Sequence, residues 1–143
     1  GASRAEPFLA TPEGTEREPA FSPDGRWVVF QSRAQAPGQL RVASYPDHAR
    51  SYPVPAASSG GALWSRAGLY FRDRSEGDRP ALFEVQVQTT PDLRFGTPRR
   101  LFEVPEALTL SDVTRDGQRI LGVEVEAREL QPLRLVVASP WLR

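Results

Sequence analysis

Apolar and polar positions alternate along most of this chain in short runs. Leu82-Phe83-Glu84-Val85-Gln86-Val87 is the clearest case of a period of two, and "RWVVFQS", "QLRVASY", "GLYFRD", "RRLFEV", "QRILGVEVE" and "LRLVVAS" are of the same kind. No stretch carries the sustained three-and-four spacing of an amphipathic helix, and the runs are rich in β-branched and aromatic residues. Fourteen prolines and eleven glycines separate them. The pattern predicts an all-β protein of short strands joined by tight turns.

The runs fall into repeats. "FSPDGRWVVF", "WSRAGLYF" and "VTRDGQRILG" place Ser22, Ser65 and Thr114 in equivalent contexts. The spacing, roughly 43 and then roughly 49 residues, is that of one four-stranded propeller blade. Asp-Gly suits the turn because a tight hairpin needs a positive φ, which glycine takes without steric cost. The middle copy lacks the aspartate and keeps Gly68. Asp24 and Asp116 are read as turn formers rather than calcium or catalytic carboxylates, since neither has a second ligand nearby in sequence.

Strands are expected in sets running from inner to outer. The first is Ala20–Ser22, Trp27–Ser32, Leu40–Tyr45 and Ser51–Pro55. The second is Ala62–Trp64, Leu69–Asp73, Ala81–Gln88 and Arg100–Val104. The third is Leu110–Val113, Arg119–Glu126 and Leu133–Ala138, with no fourth strand. Residues 19–55, 62–104 and 108–138 are thus three blades, half of a six-bladed propeller. "EPFLATPEG" (6–14) reads as a fourth strand without a blade, its Phe8 and Leu9 matching Leu101 and Phe102. Strand 7–11 is expected to complete the third blade of a partner chain. Phe8, Leu9, Leu133, Leu135 and Val137 are then the self-assembly residues.

"EREPAFSPDGRWVVFQS" resembles the TolB-like β-propeller repeat, a relative of the WD-repeat blade. "LRVASYP", "FGTPRRLFEVP" and "LRLVVASPWLR" are similar to the last blades of TolB-like domains found with bacterial kinases and regulators. The resemblance runs from about Pro7 to Trp141. It implies a propeller of usually six blades that serves as a protein- or ligand-binding platform and carries no catalytic residues to transfer; binding to a protein or peptide at one end of the ring is the expectation here. The chain departs from the pattern in the second repeat, which lacks Pro-Asp, and in holding half the usual blades.

Three blades cannot close a ring. If each open end presented about 400 Å² of apolar surface, leaving it wet would forgo on the order of 10 kcal/mol. Ordinary domains are stable by only about 5–15 kcal/mol. Two copies forming one ring are therefore expected, the rival being a ring completed by the missing half of a parent propeller.

Composition narrows the function. Eighteen basic residues, all arginine, balance eighteen acidic ones, which argues against a nucleic-acid or polybasic membrane surface. No apolar run is long enough for a membrane-spanning helix. The lack of cysteine excludes thiolate metal sites and thiol nucleophiles, and the lack of lysine excludes a Schiff base. No cofactor is expected. The absence of methionine reads as an N-terminus made by cleavage, with residues 1–5 as tag remnant or linker. The arginine-rich, lysine-free composition suits a GC-rich bacterial source, and a periplasmic or other extracytoplasmic position is favoured.

His48 is the single histidine and is expected on a surface hairpin, without partners for a triad or a metal. Trp27 and Trp64 are expected in the blade core, while Trp141 follows Pro140 in the tail. Glu124 and Glu126 are expected on one solvated strand face. Arg17, Arg66 and Arg115 lie near the inner strands and turns, where they would bind an anion in the central channel or pair with glutamates such as Glu16 and Glu18. The expectation is a non-catalytic scaffold. Two alternatives are the propeller of a prolyl-oligopeptidase-type peptidase gating a hydrolase domain elsewhere, and an engineered half-propeller.

Overall fold

The computed structural model describes residues 3–10, 12, 14–34, 38–55, 60–74, 77–125 and 134–138. Within them, alternation of buried and exposed positions builds three successive antiparallel sheets. The first joins β1 (Glu16–Phe21), β2 (Trp27–Ser32), β3 (Gln39–Ser44) and β4 (Ser51–Pro53) in simple meander order. The second joins β5 (Ala62–Trp64), β6 (Leu69–Asp73), β7 (Ala81–Val85) and, past a two-stranded hairpin of β8 (Val87–Gln88) and β9 (Arg94–Phe95), β10 (Arg99–Glu103). The third has β11 (Leu108–Val113), β12 (Ile120–Glu124) and β13 (Arg134–Ala138). These are propeller blades of four, four and three strands.

Strands with two apolar faces need a neighbour on each side. Trp27, Val29, Leu40 and Val42 of the first sheet meet Leu69, Phe71, Phe83 and Val85 of the second in one core. Tyr70 and Leu82, on the other face of the second sheet, meet Leu108 and Ile120 of the third. Phe71 and Phe83 stack across the second sheet, with ring centroids 5.9 Å apart.

The repeated turns have one chemistry. Ser22 and Thr114 donate their hydroxyls to Asp24 and Asp116, each at 2.6 Å. The same hydroxyls accept the amides of Trp27 and Arg119, each at 3.0 Å. Gly25 and Gly117 both sit at φ 71°. In the shortened middle turn Ser65 accepts the Ala67 amide instead, and Gly68 stands against the Val85 carbonyl. The β3–β4 hairpin repeats the scheme with Ser44 and Asp47, and His48 takes the positive-φ place at 41°.

Several strand limits differ from expectation. β1 begins at Glu16, not Ala20, because a bulge at Glu18-Pro19 carries the pairing past the proline. The run 81–88 breaks after Val85; Gly96 donates to the Gln86 carbonyl, and Leu93, Val87 and Phe95 of the β8–β9 hairpin pack onto the first core. Residues 3–10 form no strand in this chain. Phe8 and Leu9 lie on Val28, Phe30 and Ala43, burying apolar surface of the first sheet. Glu124 is half-buried at the end of β12, on the face it shares with Ile120 rather than a solvated one. Glu126, Leu133 and Trp141 lie outside the described residues, and of Leu135 only the backbone placement in β13 is described.

The two Asp-Gly turns differ in surroundings. Gly25 has open space where a side chain would stand, whereas at Gly117 a β-carbon would come within 2.6 Å of the Tyr70 hydroxyl and 2.9 Å of Ala67. Gly25→Ala should cost about 1 kcal/mol for the left-handed backbone alone. Gly117→Ala should cost about 2 kcal/mol more, for overpacking between blades. Chemical-denaturation midpoints of the two variants test this order. Gln31 is 2% exposed, and its Oε1 has no hydrogen-bond partner among the described residues. Gln31→Met should raise stability by about 1 kcal/mol in the same assay.

Candidate functional site: the cleft along the inner strands

β1, β5 and β11 are the terminal strands of their sheets and stand side by side without joining into one sheet. Their outer edges bound a cleft of about 600 Å³. Strand edges carry backbone donors and acceptors that a further extended segment can pair with. The walls are mixed in character: Trp64, Leu63 and Leu110 supply apolar surface, Glu18 and Asp112 supply carboxylates, and Arg72 supplies a guanidinium.

The chain holds the cleft open by tying its blades at the linkers. Glu18, at φ 53° in the bulge of β1, accepts the Gly61 amide with its carboxylate and so fixes the link between the first two blades. Arg72 donates to the Glu106 carbonyl at 3.0 Å and to the Leu108 carbonyl, while Arg74 pairs with the Glu106 carboxylate. Those contacts fasten the linker into β11. A non-glycine residue held at positive φ costs on the order of 1 kcal/mol, so neighbouring contacts must hold Glu18 there.

The three arginines singled out by sequence do not converge. The Arg66 amide donates to the Arg115 carbonyl at 3.2 Å, so these two turns touch. Arg17 lies at the opposite end of β1, beside a groove on the outer face of the first sheet. None of the described ion pairs involves Arg17, Arg66 or Arg115. Arg72, which lines the cleft, was not visible as a candidate because its run "LYFRD" reads only as a buried strand. Among the described residues no group of three or more histidine, cysteine or carboxylate side chains is placed to hold a metal ion.

His48 is exposed, with its ring edge-on to Phe8 at 5.8 Å. Trp27 is buried and carries the Arg50 guanidinium 4.9 Å from its ring centre. Trp64 is half-buried, packing on the first core while lining the cleft. Val137 is 60% exposed on the far face of the third blade.

The turn aspartates show a common electrostatic signature. Burial tends to raise Asp24, but the Ser22 hydroxyl and Arg26 amide outweigh it, and its pKa falls below 3.8. The Ser44 hydroxyl and Ala49 amide lower Asp47, and the Thr114 hydroxyl and Gln118 amide lower Asp116. All three bond best when ionised. Their contribution is therefore present above the unfolded value and is lost as pH falls through the folded one. Stability should be flat above about pH 5 and decline below about pH 4. The variant Asp24→Asn/Asp116→Asn should show a shallower decline in denaturation midpoints across that window.

No protein-family model matches the chain, and no curated protein matches it. Among solved structures, TolB from Acinetobacter baumannii is similar over 89% of this chain, at 10% identity and a TM-score of 0.49. The chain spans 41% of the length of that structure. The likeness supplies no functional residues, and the propeller-blade assignment rests on the three sheets themselves.

Proposed function

We propose that this chain is a non-catalytic propeller-type binding module whose cleft takes an extended peptide segment of a partner protein. One observation carries the reading: three strand edges converge on a single cleft, beside an aromatic ring and groups of both charges. Backbone edges give affinity for any extended chain, and side-chain pockets between them give selectivity. The ring around that cleft is completed by a second copy of the chain, making six blades.

A labelled library of extended, β-branched peptides, read by fluorescence polarisation, tests the binding site. Ser111 is exposed on the cleft wall, so Ser111→Trp should fill the cleft without touching either core. It should weaken peptide binding by about tenfold or more, equivalent to roughly 1.4 kcal/mol, with an unchanged denaturation midpoint. Peptide binding that survives Ser111→Trp would place the site elsewhere. Light scattering on a sizing column across a dilution series tests the ring. A compact species of twice the chain mass is expected, dissociating on dilution.

A further inference from the structure

The three turns put the sheets in common register, because the amides of Ser22, Ser65 and Thr114 each donate across the turn to the carbonyl of a residue at or just before the start of the next strand: Trp27, Gly68 and Arg119. Val28 and Phe30 of the first blade therefore correspond to Leu69 and Phe71 of the second and to Ile120 and Gly122 of the third. In the second and third blades these positions face the preceding blade and are buried by it. The residues before the turns behave alike. Trp64 and Val113 pack on the blade that precedes theirs, whereas no described blade precedes that of Phe21, which is 56% exposed.

The opposite end shows the reciprocal deficit. Val42 pairs with Val29 across the first sheet as Val137 pairs with Leu121 across the third. Val42 is fully buried by the following blade, and Val137 is 60% exposed. Among the described residues, no blade covers the Val28 face of the first sheet and none covers the Val137 face of the third. A second copy can cover both, since its third blade can precede the first blade and its first blade can follow the third.

The predecessor's place is already taken in part. Phe8 and Leu9 cover the centre of the Val28–Phe30–Ala43 face, and the Phe8 ring lies 5.4 Å from that of Tyr45. The rim stays open: Phe21 and Tyr45 are 56% and 42% exposed, their rings edge-on at 5.0 Å, and a groove of about 390 Å³ runs beside the segment. Two side chains thus do the work that a whole sheet does between the other blades. We infer that the Phe8–Leu9 segment is a displaceable assembly cap, which protects the first blade of the free chain and gives way to the third blade of a second copy. The inference rests on the two-copy ring proposed above. A face capped about 90% of the time binds its partner about tenfold more weakly than an open one.

The chain has no cysteine, so a single engineered bridge can lock the cap. Phe8→Cys/Tyr45→Cys, oxidised and checked by intact mass, should need at least about ten times the wild-type concentration to reach the double-mass species. Reduction should restore wild-type association, which separates locking from misfolding. An oxidised variant that assembles like wild type overturns the cap while leaving the two-copy ring standing. A wild-type chain that stays monomeric at every concentration overturns the ring itself, and the inference with it. Should the bridge not form, Phe8→Ser/Leu9→Ser decides: a cap predicts association tightened by up to about tenfold. Weakened association would mean that the segment belongs to the assembled state, as a strand completing the third blade, and would overturn the cap.

Discussion

Each of the three blade sheets has apolar side chains on both faces, and the packing of one such face on the next is what the rest of the structure depends on. Pleated strands put successive side chains on opposite sides, so a run such as Trp27–Phe30 that is apolar throughout must be covered twice. The first core meets that demand between blades one and two, and the second meets it between blades two and three. The architecture then propagates in one direction, and it leaves one unmet face at each end. On the first blade, Phe8 and Leu9 reduce the deficit at little conformational expense, because they come from a short segment that forms no sheet.

Polar chemistry in the fold serves this stacking. The turns opened by Ser22, Ser65 and Thr114 set where each second strand starts, and hence which side chains face forwards and which backwards. A one-residue slip there would exchange the two faces. Between blades, Glu18, Arg72 and Arg74 grip backbone and side-chain groups of the linkers. Those ties set the spacing of the inner strands, and the cleft is the space that remains between their edges. The residues lining it therefore have structural work as well, as Trp64 shows by packing on the first core and facing the cleft together.

Much of this was readable from local pattern. Trp27–Ser32, Ala62–Trp64 and Leu69–Asp73 are strands with the limits that alternation and turn residues predict. The turn aspartates also behave as their spacing from Ser22 and Thr114 suggests. These features depend on residues a few positions apart, whose geometry is fixed by hydrogen bonds within one turn. The start of β1 was missed because a bulge lets the strand pass Pro19, and a bulge is visible only against its partner strand. The break after Val85 was missed for a similar reason: "LFEVQVQ" alternates without interruption, and the hairpin that follows leaves the sheet to bury Leu93.

By itself, the sequence determined that the chain is all-β and that its strands come in successive antiparallel sets separated by tight turns. Each of those follows from side-chain period and turn chemistry, which act over a few residues. Tertiary structure alone decided where distant residues meet: that Arg17 stands apart from Arg66 and Arg115, that Arg72 rather than any of them lines the cleft, and that Phe8 and Leu9 lie on the first blade. Those placements depend on how the sheets stack and on which faces stay uncovered. That is a contest between burial and backbone pairing over the whole chain, and no local pattern records its outcome.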